Sequence, residues 1–151
     1  MSSPATGALL AKTLTPAAAL GFVPVAVRFD LFNILARMDR PATGEEVQAL
    51  YKSIHGSTEA SAVIPSWAAV PLIQDTLFAM VGLGLVGLAG EDVYRANDLT
   101  RHLAVSPSAA HGAVHFTTEA LLAGAFLMSK LQAKNFAYPF KECETPVQHA
   151  Y

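Results

Sequence analysis

Three glycines, Gly82, Gly84 and Gly87, follow a largely apolar segment and set the sharpest limit on what this chain can fold into. Their spacing, Gly-x-Gly-x-x-Gly, matches the dinucleotide-binding pattern, whose mechanism requires the loop to follow a strand and open a helix. The order here is the reverse. Val70, Ile73, Leu77, Met80 and Val81 recur at steps of three and four, the spacing of one helical face. Glycines after such a face read as a helix C-terminus, where a residue without a Cβ turns left-handed and satisfies the last carbonyls. Leu85 to Leu88 and Val93 to Ala96 then flank Gly90-Glu91-Asp92, a turn-prone triplet that suits a two-stranded hairpin. The pattern predicts a helix, a tight turn and a hairpin, and no phosphate cradle.

Upstream, residues 1–15 are rich in Ser, Ala, Thr and Gly with one charge, and are expected to form a flexible N-terminal arm. Pro16 to Met38 is predicted as one helix, with Pro24 as the place for a bend. Val23, Val27, Leu31, Ile34, Leu35 and Met38 form a stripe, and Phe22, Phe29 and Phe32 lie partly off it. A helix apolar beyond one stripe is either central or shared with a second subunit. Thr43-Gly44-Glu45-Glu46 is a T-x-x-E capping box and starts a short second helix through Val47, Leu50, Tyr51 and Ile54. Gly56 to Ala62 reads as a loop, longer than a DNA-binding helix-turn-helix allows. Ser66 suits a cap, and Pro71 a first helical position.

Downstream, Asn97 or Asp98 can cap a helix containing Leu99, His102 and Leu103. Ser106-Pro107 opens a second long helix, predicted to run to Lys134 and weakened by Gly112 and Gly124. Residues 137–151 contain two prolines and little periodicity, and read as a C-terminal linker. One domain, residues 16–136, lies between arm and linker. Strands and helices do not alternate, so no parallel sheet is expected. The predicted fold is mainly α, a winged-helix-like unit with one short β-hairpin flanked by long dimerisation helices.

Composition enters through that last point. Hydrophobic residues make up 52% and charged residues 15% of the 151, against about 25% charged in average domains. The apolar surplus needs a partner surface, and a homodimer is the expected one. No uncharged apolar run reaches the ~18 residues of a membrane span. A net charge of −2 offers no attraction to a phosphate backbone, and Trp67 to Val86 holds no Arg or Lys to read a DNA groove, so nucleic acid is not an expected partner. The single Cys143 excludes an internal disulfide and suits a reducing, cytoplasmic setting. Its flanking Glu142 and Glu144 disfavour a thiolate, so it is not a candidate nucleophile. Pro16 and Pro24 interrupt the Ala-rich start and argue against a signal peptide.

VAVRFDLFNILARMDRPATGEEVQAL, LIQDTLFAMVGLGLV and VYRANDLTRHLA resemble the N-terminal domain of fungal and plant-type S-adenosylmethionine-dependent O-methyltransferases. That resemblance implies a homodimer formed through the long helices, with a substrate cavity lined or capped by the aromatic-rich helix. Under it, Phe22, Phe29, Phe32, Phe116 and Met128 are candidates for the substrate pocket or dimer interface. It further implies an aromatic or polyketide-like ligand in secondary metabolism, and a full-length methyltransferase as a further candidate partner. Family members continue into a Rossmann-like domain with the glycine loop and catalytic His. Nothing here corresponds to either, so no cofactor-binding residues are expected and methyl transfer by this chain alone is not. Met1 reads as a start and Tyr151 falls where the family's linker leads on; a fragment and a short homologue fit equally.

His111, His115 and Glu119 stack at i, i+4 and i+8 along one helix. Three turns of one helix spread the outer two too far apart to close a zinc tetrahedron, so no metal is expected. The bland reading is a helix face with solvated histidines. The functional alternative uses His115 or His111 as acid or base in an apolar pocket of a cofactor-independent cyclase or pericyclase, as in fungal proteins similar to this methyltransferase family.

Overall fold

The computed structural model describes residues 16–55, 66–133 and 135–136, and within them the first predicted helix is broken. The expected arm, the Gly56 to Ala62 loop and the linker with Cys143 lie outside the described residues. Pro24 is not the hinge. It sits in the first turn of α1 (Val23–Arg28), where a missing N–H costs nothing. The chain bends by 68° between Pro16–Arg28 and α2 (Leu31–Arg37). Asp30 makes the bend with φ 55°, a left-handed conformation that Asp tolerates better than most residues. Its N–H donates to Val27 O at 3.1 Å and its carbonyl accepts from Ile34 N at 3.0 Å, so one residue closes α1 and opens α2.

β1 (Ala42–Thr43) leads into α3 (Gly44–His55), and the predicted capping box is formed. Thr43 N donates to Glu46 Oε2 at 2.9 Å, and Glu46 N to Thr43 Oγ1 at 3.3 Å. Arg40 binds the other carboxylate oxygen at 2.6 Å. That hydrogen bond, followed by the one from the Thr43 backbone, holds the Glu46 carboxyl below its ordinary range. α3 also buttresses the bend. Its His55 Nε2 lies 3.5 Å from Asp30 Oδ2 and its ring rests on Tyr51, which in turn packs on Phe29.

α4 (Ser66–Gly82) starts earlier than predicted, which places Pro71 inside the helix instead of at its first position. An internal proline removes one backbone donor. Its ring is exposed, and the helix is held by Ile73, Leu77 and Met80 on the buried side. Buried Thr76 donates its hydroxyl to Leu72 O at 2.7 Å, which satisfies it without a distant partner. The helix ends as the glycines predict. Leu85 N bonds Met80 O and Gly84 N bonds Val81 O, both at 2.9 Å, with Gly84 at φ +73°, the pairing of a Schellman turn.

β2 (Gly87–Gly90) and β3 (Val93–Arg95) form the predicted hairpin, with an irregularity between Leu88 and Gly90. The sheet has a third member that the pattern did not announce: β1 pairs antiparallel with β3, Ala42 opposite Tyr94, giving the order β1-β3-β2. Two residues are too few to show alternation. The pairing puts Tyr94 on the central strand, where it is fully buried.

Asn97 caps α5 (Asp98–Val105), accepting from Thr100 N at 2.9 Å, and Ser106 caps α6 (Pro107–His115). The predicted long helix from Pro107 is not one regular helix: a π turn, Phe116–Ala120, separates α6 from α7 (Leu121–Ala133). Thr117 and Thr118 supply a reason. Their hydroxyls donate to Ala113 O at 2.7 Å and Val114 O at 2.8 Å, competing with the helical ladder for the same carbonyls.

The core lies where α1, α2, α3, α4 and the sheet meet. α2 contributes Leu31, Phe32, Ile34 and Leu35, α1 adds Val23 and Ala26, and α3 adds Val47 and Tyr51. The result is mostly helical with one small antiparallel sheet. Among the described residues no single helix is long and apolar enough to cross a membrane.

Candidate functional site

Among the described residues, two concave surfaces stand out, and their electrostatics separate them. The first, about 570 Å³, lies between the end of α2, the hairpin and the start of α5, and includes Arg40, Arg95 and Arg101. Its cations are largely committed. Arg40 is bound to Glu46 at 2.6 Å, Arg101 lies 3.4 Å from Asp98, and the Arg95 side chain packs over Gly87.

The second, about 460 Å³, runs between α1 and the helix carrying the two predicted histidines. Pro24, Val27 and Arg28 form one wall. The other holds His111, Val114 and His115, continued by Thr118 and Glu119 of the π turn. His115 Nδ1 lies 3.0 Å from Glu119 Oε2. The π turn matters because it inserts one extra residue into the helix, and such turns recur at functional positions.

The sequence-predicted site residues are not all brought together. His111 and His115 share this groove. Phe116 is 69% exposed beside it, edge-on to the His115 ring at 5.7 Å. Phe22 and Phe29 are half-buried against the core, Phe32 is inside it, and Met128 is 58% exposed farther along α7. Arg28 and Thr118 were not singled out from sequence, and Val27 was read only as part of the apolar stripe of the first helix. No local pattern marks them, since α1 meets α6 only through the fold; the Thr117-Thr118 pair was the one readable hint of the π turn.

A second feature is apolar and outward. α6 has no buried residue, and α7 buries only Lys130. Phe116, Leu121, Leu127 and Met128 are all exposed.

The Gly-x-Gly-x-x-Gly run does not form a phosphate loop: Gly82 closes a helix and Gly87 opens a strand, the reverse of the order that such a loop needs. Among the described residues no group of three or more His, Cys, Asp and Glu is placed to hold a metal ion.

In sequence, this mainly helical domain with one small sheet is similar to fungal O-methyltransferases. The chain is 51% identical to O-methyltransferase bfoE of Aspergillus brasiliensis, over 98% of the chain and 38% of that protein. It is 46% identical to O-methyltransferase aunE of Aspergillus niger, over 98% of the chain and 40% of the relative. Against aunE of a second Aspergillus niger strain the identity is 49%, over 89% of the chain and 37% of the relative. No protein-family model and no solved structure matches the chain. It is an O-methyltransferase-related domain, spanning between 37% and 40% of the length of these fungal relatives.

Proposed function

We propose that this chain is the dimerisation and substrate-capping part of an O-methyltransferase acting on an aromatic or polyketide-like metabolite. The observation that carries the reading is the outer face of α6, the π turn and α7. Phe116, Leu121, Leu127 and Met128 stand exposed along about three turns, in a helix that a single copy hardly buries. Contiguous apolar faces of this kind mark interaction sites. A second copy is the fitting occupant, because a twofold pairing lets one apolar strip cover itself. The order of helices and hairpin supports a winged-helix unit beneath that interface. The methyl donor would be bound by the portion of the relatives that this chain does not span. The relatives' names favour this reading over a cofactor-independent cyclase.

Sedimentation equilibrium over a wide concentration range tests it. The expected species is a dimer, and Leu127→Asp or Phe116→Asp shifts it to monomer while leaving the helical circular dichroism unchanged. A stable pairing should bury about 800 Å² per copy. A wild-type chain that stays monomeric at every concentration overturns the proposal.

A further inference from the structure

We propose that His111 and His115 form a two-histidine clamp for a divalent transition-metal ion of the zinc and copper class, with Glu119 holding the His115 ring from behind. The site goes beyond the pairing proposed above and is complete within one copy of the chain.

Three observations converge. First, the two rings share one wall. His111 and His115 both border the groove against α1, and α6 carries the two of them on one regular helix. Residues four apart on a helix hold their Cβ atoms about 5–6 Å apart, a span that two imidazoles can close on a single ion. Second, His115 is held as a metal-bound imidazole is held. Its Nδ1 lies 3.0 Å from Glu119 Oε2, so in the neutral ring that nitrogen carries the proton and Nε2 keeps its lone pair. A carboxylate behind the ring fixes its tautomer and orientation and makes the other nitrogen a stronger ligand. Glu119 therefore has a role other than that of a third ligand. It stands about two turns along the axis from His111, too far to share an ion with it. Third, an ion can reach the pair. His111 and His115 are both exposed, so the coordination positions that the two nitrogens leave open fall to water, as at zinc sites with an open position. Imidazole suits Zn²⁺, Cu²⁺ and Ni²⁺, whereas Mg²⁺ and Ca²⁺ require oxygen ligands. One charge opposes the ion. Arg28 borders the same groove from α1, and the Glu119 carboxylate offsets it.

The test titrates the whole chain with zinc chloride in a non-coordinating buffer, by calorimetry, with Cys143→Ser as the parent so that no thiol competes. Zn²⁺ is expected to saturate at one ion per chain. Cu²⁺ should bind more tightly, with two nitrogen ligands in its electron paramagnetic resonance spectrum, and Mg²⁺ should not bind. His111→Ala and His115→Ala should each weaken Zn²⁺ by about tenfold or more, a loss of ~1.4 kcal/mol. Glu119→Ala should cost about tenfold, the usual effect of removing the carboxylate behind a ligating ring, while both nitrogens stay in the Cu²⁺ spectrum. Arg28→Gln should tighten binding. His102→Ala, on the exposed side of α5, should change nothing. Every substituted histidine is exposed, and the helical circular dichroism of each variant reports its folding directly. Absence of saturation, affinity that survives the loss of either histidine, or an equal fall with His102→Ala would overturn the inference. Leu127→Asp keeps the clamp apart from the pairing: the monomeric variant should bind Zn²⁺ as the parent does, and loss of the ion with loss of the dimer would defeat a site complete within one copy.

Discussion

Asn97 ties three segments together with one side chain. Its Oδ1 accepts from Thr100 N at 2.9 Å to start α5, and its Nδ2 donates to Gly84 O at 2.9 Å across the turn that ends α4. Thr100, fully buried, completes the box by accepting from Asn97 N at 3.1 Å, and donates its own proton to Leu85 O at 2.6 Å. Asn97→Ala loses a cap worth about 1 kcal/mol and also frees the Gly84 carbonyl. A drop of several degrees in melting temperature is expected; an unchanged melting curve would show the cap to be idle. Tyr94 makes a second prediction at this scale. Burial, followed by the nearby charges of Asp92 and then Asp75, raises its phenol above the ordinary value of 10.0. The folded chain then holds that proton more tightly than the unfolded one, so its contribution is constant below pH ~10 and stability falls as pH rises beyond it. Denaturant melts across that range should show the fall, and Tyr94→Phe should flatten it.

At the scale of elements, the π turn takes up one extra residue between α6 and α7. Removing one residue from Phe116–Ala120 would restore a regular helix with α7 in nearly the same phase, because a π turn absorbs the inserted residue locally. Deleting Thr118 is therefore expected to leave both helix content and self-association intact, measured by circular dichroism and sedimentation. A deletion variant that no longer pairs would show that the turn itself belongs to the interface. Gly44 depends on a neighbouring element. It starts α3 with its Cα turned to α4, and a Cβ there would collide with the Gln74 side chain. The capping boxes, the Schellman turn and the hairpin were all readable beforehand because each is closed by partners a few residues apart. The bend at Asp30 was not. Its support comes from Tyr51 and His55, more than twenty residues downstream.

At the scale of the molecule, a chain that pairs through one apolar face gains stability by mass action. Its melting temperature should rise with protein concentration, and Leu127→Asp should remove that dependence; a melting temperature independent of concentration in the parent would count against pairing. Sequence alone determined the helical class, the capped starts of α3, α5 and α6, the glycine stop of α4, the hairpin, and the stacking of His111 over His115. These follow from side-chain periodicity and hydrogen bonds within about four residues, which the chain carries wherever it is placed. Only the tertiary structure decided that β1 joins the sheet, that Phe32 goes to the core while Phe116 stays outside, and that α1 supplies a wall for the His115 groove. Those outcomes depend on contacts between distant segments, whose energy exists only once the core around Leu35, Leu77 and Tyr94 has closed.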